Sequence, residues 1–389
     1  MKRMKIAFLT GTRADYGKLK PLMQACESDA ETECMVYAIG MHLLEEYGAT
    51  INDIRNDRFS HLYTPEHYCH HDKMELNLAE TIVSFSSFVD TTQPDLIVVH
   101  GDRVEPLAGA IVGVMNNTYV AHVEGGEVTG TADEFMRHAV TKLSNLHFVS
   151  NEEAKLRLLQ LGEREETIYV IGSPDIDIML SDRLPALDEV KKKQGIPFDR
   201  YAILSYHPVT TAHSLARDVE QLVDAVEASG LNYVVIMPND DKGSDVIQTE
   251  LKRLASNLRF RFFASIPFES YLTLLRHAEF IIGNSSAGVR EACVYGVPAI
   301  DVGTRQNNRY HPAALRNIQK CGENADELLR CIASADRHRV ASSYFGNGHS
   351  AEQFIRIIKN MGKMPFQKQF VDTAETAAAI NNYINEVCF

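Results

Sequence analysis

Short runs of β-branched and aliphatic residues alternate with longer segments whose apolar positions recur at helical spacing, the pattern of a parallel sheet with crossover helices. In the first half, Lys5–Thr10, Cys34–Ile39, Leu96–His100, Tyr119–His122, Leu146–Val149 and Tyr169–Ile171 read as strands. Between them the spacing predicts amphipathic helices over Ala14–Glu27 and Met74–Val89. The text then changes to Gly172-Ser173-Pro174, Leu184-Pro185, the charged Asp188–Lys193 and Gly195-Ile196-Pro197, which reads as an interdomain connection. A second alternation follows through Ala202–Tyr206, Tyr233–Met237, Arg259–Phe263, Phe280–Ile282 and Ala299–Val302. The pattern predicts two doubly wound α/β domains in tandem, with no close internal repeat.

The chain of 389 residues carries 39 Lys and Arg against 52 Asp and Glu, a net charge of −13. Such a field repels polyanions, so neither nucleic acid nor a membrane surface is an expected partner, and a phosphate-bearing ligand needs a locally positive cleft. The basic start is followed by a short apolar run that ends in Gly11-Thr12-Arg13, unlike a secretory signal. The longest apolar stretch, Leu107–Met115, is far below the ~20 residues of a membrane helix. Seven scattered cysteines without a C-x-x-C pair suit reduced thiols and a cytoplasmic location.

In open α/β sheets ligands bind beyond the carboxyl ends of the strands. Polar clusters directly follow strands at Gly11-Thr12-Arg13, Gly101-Asp102-Arg103 and Glu124-Gly125-Gly126-Glu127 in the first half. The second half has His207-Pro208, Pro238-Asn239-Asp240, Gly283-Asn284-Ser285-Ser286 and Gly303-Thr304-Arg305 in the equivalent places. Gly11–Lys18 is not a Walker loop, because five residues separate its glycines and Leu19 follows the lysine. Arg13 beside a helix N-terminus suits an anion, and equally suits a capped turn with a solvated arginine. At Gly283–Glu291, two glycines and two serines crowd one strand-to-helix junction, more than capping requires, and favour phosphate binding; Glu291 is placed to accept from a ribose diol.

Asp102, Glu124, Glu127, Asp133 and Glu134 share one segment with Arg103, His122, Arg137 and His138. Carboxylates at the ends of neighbouring strands can supply an acid and a base, although Asp and Glu also cap helices. Asp102 and Glu124, directly after apolar strands, are least easily explained as caps. Glu66–Asp72 holds enough ligand types for a metal, but adjacent His70 and His71 do not follow a zinc spacing, and a polar loop is the simpler reading. No metal is expected.

At these motifs the sequence resembles the hydrolysing UDP-N-acetylglucosamine 2-epimerases of bacterial sialic acid synthesis. The matching stretches are GTRADYGKL at Gly11, HGDR at His100, HVEGGEVTGT at His122, RHAVTKLSN at Arg137, HPVTT at His207, PNDDKGS at Pro238, GNSSAGVRE at Gly283 and GTRQNNR at Gly303. The resemblance implies two Rossmann-like domains with an interdomain cleft, the glycosyltransferase B type. It places the carboxylates on residues 1–178, UDP binding on residues 179–367, and a C-terminal helix over about residues 368–389 that returns to the first domain. Carried over by motif, Asp102, Glu124 and Asp133 are catalytic. Arg13, Arg103, His207, Asn239, Ser285, Ser286 and Arg305 contact the nucleotide diphosphate or its sugar, Glu291 contacts the ribose, and the uracil lies near Phe263–Phe268. One departure is Asp133-Glu134-Phe135-Met136, where many relatives read D-D-S-I.

The implied reaction converts UDP-GlcNAc and water to ManNAc and UDP, without a cofactor, in a homodimer or homotetramer. One alternative is the same chemistry on UDP-2,4-diacetamido-2,4,6-trideoxyglucose. Another is a non-hydrolysing epimerase, whose relatives read GTRPE and HVEAG where this chain has GTRAD and HVEGG. A catalytically silent UDP-sugar sensor and a glycosyltransferase also fit the fold.

Overall fold

The computed structural model describes residues 3–45, 48–128, 133–208, 215–238, 243–307, 309–360 and 365–388. The chain divides into two units, one of residues 1–175 and 349–389, the other of residues 176–348.

The first unit runs β1 (Met4–Thr10), α1 (Arg13–Ser28), β2 (Thr32–Ala38), α2 (Ile51–Asn56), β3 (Leu62–Tyr63), α3 (Met74–Thr92), β4 (Leu96–His100), α4 (Val104–Met115), β5 (Tyr119–Val123), α5 (Asp133–Leu143), β6 (Leu146–Val149), α6 (Glu152–Gln160) and β7 (Ile168–Val170). The strands form one parallel sheet in the order β3-β2-β1-β4-β5-β6-β7. Both faces are covered, which is why the strands are almost wholly apolar rather than alternating. Ile6 and Phe8 of β1 pack with Leu19 and Leu22 of α1, whereas Ala7 and Leu9 pack with Phe85 and Val89 of α3.

A short helix, α7 (Asp175–Met179), spans the division. The second unit continues with α8 (Leu187–Gln194), β8 (Ala202–Ser205), α9 (Leu215–Ala228), β9 (Tyr233–Ile236), α10 (Ser244–Leu251), β10 (Phe260–Phe263), α11 (Phe268–Arg276), β11 (Ile281–Gly283), α12 (Glu291–Tyr295), β12 (Ala299–Val302), β13 (Ile318–Cys321) and α13 (Ala325–Ser334). Its parallel sheet has the order β10-β9-β8-β11-β12-β13. In each sheet the order reverses at one crevice, between β1 and β4 or between β8 and β11, the topological switch point where such folds bind ligands.

The pattern along the chain finds these sheets except for one edge strand of each. β3 is two residues long, and β13 is the half-polar Ile-Gln-Lys-Cys, so neither carries a readable apolar run. The return to the first unit also begins earlier than residue 368. It begins at His349, with α14 (Ser350–Ile358), because Phe354 and Ile358 one turn apart form an apolar stripe that packs with Phe8 and Phe148. The final helix, α15 (Ala374–Cys388), belongs to the same unit, and its side chains through residue 385 are exposed except for the half-buried Ala377. Among the described residues no helix is long and apolar enough to cross a membrane.

Candidate functional site

In the first unit the switch point is built from the turn after β1 and the loops after β4, β5 and β7. Thr12 caps α1, and the Asp15 carboxylate accepts from Thr10 Oγ1 at 2.8 Å and from the Gly11 and Thr12 amides at 3.0 Å each. This capping box holds the β1–α1 turn with the Arg13 side chain exposed.

Glu124 follows β5 with φ of 61°, a left-handed backbone that a non-glycine residue adopts at a cost. Its amide donates to Phe148 O at 2.8 Å, so the strained turn is fastened to β6. The carboxylate is nearly buried and held on both oxygens. Oε2 lies 3.1 Å from His100 Nε2, while Oε1 lies 3.2 Å from Lys18 Nζ and accepts from the Ser173 hydroxyl. Lys18 also pairs with Asp175 at 2.9 Å and reaches Ser173 Oγ at 3.1 Å. Strained backbone of this kind clusters at active sites and ligand clamps, where the surrounding contacts hold it in place.

Asp102, after β4, is paired with Arg137 of α5, and the same buried guanidinium reaches the Glu124 carbonyl at 3.5 Å. Asp133 is the first residue of α5, one helical turn before Arg137, and is half-buried. Arg137 therefore connects the Asp102 and Glu124 segments through the helix that begins with Asp133. Beneath them, fully buried His122 on β5 reaches Gly101 O at 2.8 Å through Nε2 and Thr141 Oγ1 at 3.1 Å through Nδ1. Burial pushes this imidazole down to about 3, so it is neutral at pH 7, with Nε2–H donating to the carbonyl.

In the second unit the switch point is organised by Asn284, which is fully buried. Its Oδ1 accepts from the His207 amide at 2.7 Å, and its Nδ2 donates to the His207 carbonyl at 2.8 Å. Its own carbonyl accepts from Arg305 at 3.1 Å and Gln306 at 2.8 Å. Gly283 has φ of 133°, and a Cβ there would stand 1.9 Å from Ser205 O, so only glycine allows β11 to leave the sheet this way. Ser285 then caps the short turn Ser286–Gly288, accepting from Ala287 N at 3.3 Å. Asn284 thus draws together the His207, Ser285–Ser286 and Arg305 segments. Glu291 opens α12 close enough to the phenol of half-buried Tyr271 to add to the upward push of desolvation on it. Phe263 and Phe268 are half-buried, at the end of β10 and the start of α11. Asn239 lies outside the described residues.

The sequence reading passes over Lys18, which sits in GTRADYGKL and enters there only through the rejected Walker spacing. It passes over Asn284, inside GNSSAGVRE, and His100, which opens HGDR. Ser173 and Asp175 are assigned to a connection, whereas both contact Lys18 at the carboxyl edge of the first sheet. In the Glu66–Asp72 loop, Tyr68 packs beside His70, and among the described residues no group of three His, Cys, Asp or Glu side chains is arranged to hold a metal.

Two Rossmann-like units of this strand order define a protein of the glycosyltransferase B fold class. A solved UDP-GlcNAc 2-epimerase from Neisseria meningitidis, bound to UDP-GlcNAc, shares that fold with a TM-score of 0.76 and 17% identity, over 92% of this chain and all of that one. Residues 24–359 match the family described as UDP-N-acetylglucosamine 2-epimerase, and the chain belongs to it. It is 41% identical to the UDP-N-acetylglucosamine 2-epimerase of Neisseria meningitidis serogroup B, over 96% of this chain and 99% of that protein. It is 30% identical to a UDP-N,N'-diacetylbacillosamine 2-epimerase (hydrolyzing) of Legionella pneumophila, over 92% of this chain and 96% of that protein.

Proposed function

We propose that this protein is a hydrolysing UDP-GlcNAc 2-epimerase, converting UDP-GlcNAc and water to ManNAc and UDP at the head of sialic acid synthesis. The observation that carries the reading is the strained, clamped Glu124, with Asp102 and Asp133 joined to it through Arg137, in a chain that belongs to the epimerase family.

The chemical difficulty is a weakly acidic C2–H, which must be removed as the C1–O bond to the diphosphate breaks. Anti elimination gives 2-acetamidoglucal and UDP; hydration of the double bond with a proton delivered to the opposite face of C2 gives ManNAc. Glu124 and Asp133 supply the main base and acid functions, and Asp102 assists or orients. A base must be ionised to accept a proton, and the Lys18 ion pair keeps Glu124 in company with a cation. Arg13, Arg103, His207, Asn239, Ser285, Ser286 and Arg305 bind the diphosphate or its sugar, Glu291 the ribose, and the Phe263–Phe268 segment the uracil. The HVEGG and GTRAD stretches support hydrolysis over simple epimerisation, and no cofactor enters the reaction. The 41% relative supports UDP-GlcNAc over the diacetamido sugar of the 30% relative. A homodimer or homotetramer in the cytoplasm is the setting we propose.

Incubation with UDP-GlcNAc in deuterated water, followed by NMR, should yield UDP and ManNAc labelled at C2. UDP-ManNAc as the stable product would refute hydrolysis. Faster turnover of UDP-2,4-diacetamido-2,4,6-trideoxyglucose in a parallel reaction would refute the substrate.

A further inference from the structure

Glu105, in the first turn of α4, is a buried carboxyl at the carboxyl edge of the first sheet that the proposed mechanism does not use. It fills space left by two glycines. A Cβ on Gly11 would stand 2.5 Å from Glu105 Cδ, and one on Gly40, whose φ is 65°, would stand 2.8 Å from Oε1. The side chain is thereby wedged between the ends of β1 and β2. Its Oε2 makes no hydrogen bond among the described residues, yet stands 3.6 Å from Nε of Arg103. Arg103 is half-exposed, and its Nη2 reaches toward Met41 Sδ at 4.0 Å.

We propose that Glu105 is the positioning residue for Arg103, holding the guanidinium by its Nε side so that the Nη1 edge is presented to an oxygen of the ligand. The proposal rests on the reading of Arg103 as a UDP-sugar contact. Geometry supports it in three ways. The carboxyl is buried and packed against the backbone of Gly11 and Gly40, so it is in place without a ligand. It lies two residues beyond Arg103, at the first turn of the same helix, where a carboxylate is favourably placed. It stands at the Nε side of the guanidinium, a side that arginine offers in addition to its terminal nitrogens and lysine lacks. Burial pushes the Glu105 carboxyl up on balance, and the Arg103 guanidinium is what opposes this, so the pair depends on the arginine staying beside the acid. An arginine already oriented loses less freedom on binding than one that must be ordered by the ligand.

The test is a double-mutant cycle of Glu105→Gln and Arg103→Ala, read by calorimetric UDP affinity and by KM and kcat for UDP-GlcNAc. Gln keeps the wedge and removes the charge. Glu105→Gln should weaken UDP binding and raise KM by about threefold to fivefold, with kcat changing far less, as expected for loss of one partly exposed ion pair that acts through its neighbour. In the Arg103→Ala background it should add nothing. Full additivity, or a fall in kcat at unchanged KM, overturns the proposal. Should Glu105→Gln fail to fold, Arg103→Lys reads the same contact from its exposed end and should raise KM similarly; wild-type KM in that variant overturns it. Wild-type protein that binds UDP but turns over no UDP-GlcNAc refutes the functional reading alone, because the cycle is still read by UDP affinity, and wild-type protein that binds neither refutes both.

Discussion

Lys18 Nζ lies 3.2 Å from Glu124 Oε1 and 2.9 Å from Asp175 Oδ2, so one ammonium on α1 serves two carboxylates from different strand ends. Lys18→Met should lower kcat by about a hundredfold or more, within the range seen when general acid–base groups are disturbed. It should also lower the melting temperature, because two carboxylates then share a nearly buried place without their cation. A variant with wild-type turnover would show that the clamp on Glu124 is structural.

Glu124→Gln preserves shape and hydrogen-bonding capacity but cannot accept a proton. Turnover should fall by about a hundred- to ten-thousandfold while UDP affinity changes little. Rapid-quench measurement of UDP release together with calorimetry separates the two. Equal losses in both would make Glu124 a binding residue.

Asn284 is expected to govern nucleotide affinity. Asn284→Ala leaves the His207 amide and carbonyl without their buried partners, at about 1–3 kcal/mol for each orphaned group. It also loosens the segment on which Arg305 and Gln306 converge. UDP binding should weaken by more than tenfold, whereas the fold of the first unit, followed by protection of its β1 and β4 amides from hydrogen exchange, should not change. Undiminished UDP affinity would remove this loop from the binding site.

Acid should weaken the first unit through His122. His122 is held by burial at about 3, against about 6.5 in an unfolded chain. Between those values the unfolded state binds a proton that the folded state refuses, so this contribution is complete above about pH 6.5 and declines as pH falls toward 3. From pH 7 to pH 5 the loss is about 2 kcal/mol, read by urea unfolding, and His122→Asn should flatten the slope. Glu163 acts lower still. Burial opposes its charge, but the His147 hydrogen bond and the Lys368 ammonium outweigh burial and hold it at about 2, so its support is lost only as pH falls from about 4 toward 2.

Lys368 ties the C-terminal segment to the first unit. It pairs with buried Glu163 and donates to the carbonyls of Thr141 and Ser144, at the end of the helix that begins with Asp133. Asn145 Nδ2 reaches Phe366 O, and Phe366 packs edge-on against Tyr119. Lys368→Met should cost about 2 kcal/mol, less than the loss of a fully buried partner because Lys142 remains 3.0 Å from Glu163. Truncation after residue 370 should leave stability nearly unchanged, since the removed helix is largely exposed. Thermal melts of the two proteins check the contrast.

Much of this was legible in the chain. Strands such as Leu96–Val99, buried on both faces, must be continuous apolar runs, and the residue that ends such a run emerges at the sheet edge where ligands bind. Asp102, Glu124 and Ser285 each stand just past such a run, which is why the chain by itself brings them forward as candidates. Lys18, Ser173 and Asp175 escaped it. They come from α1 and from the segment after β7, and no spacing in a linear text brings positions more than 150 residues apart to one carboxylate.

The amino-acid order alone therefore determined the class of fold, the two alternations, the motif order and the residue types available for chemistry, because these depend on local periodicity and on what each side chain can donate, accept or ionise. Tertiary structure alone decided which groups meet. Parallel pairing of β1 with β4 sets Gly11 beside Glu105, the left-handed turn at Glu124 aims its carboxylate at Lys18, and burial makes His122 neutral. These are consequences of distance and of water excluded by packing, and neither is written in the order of residues.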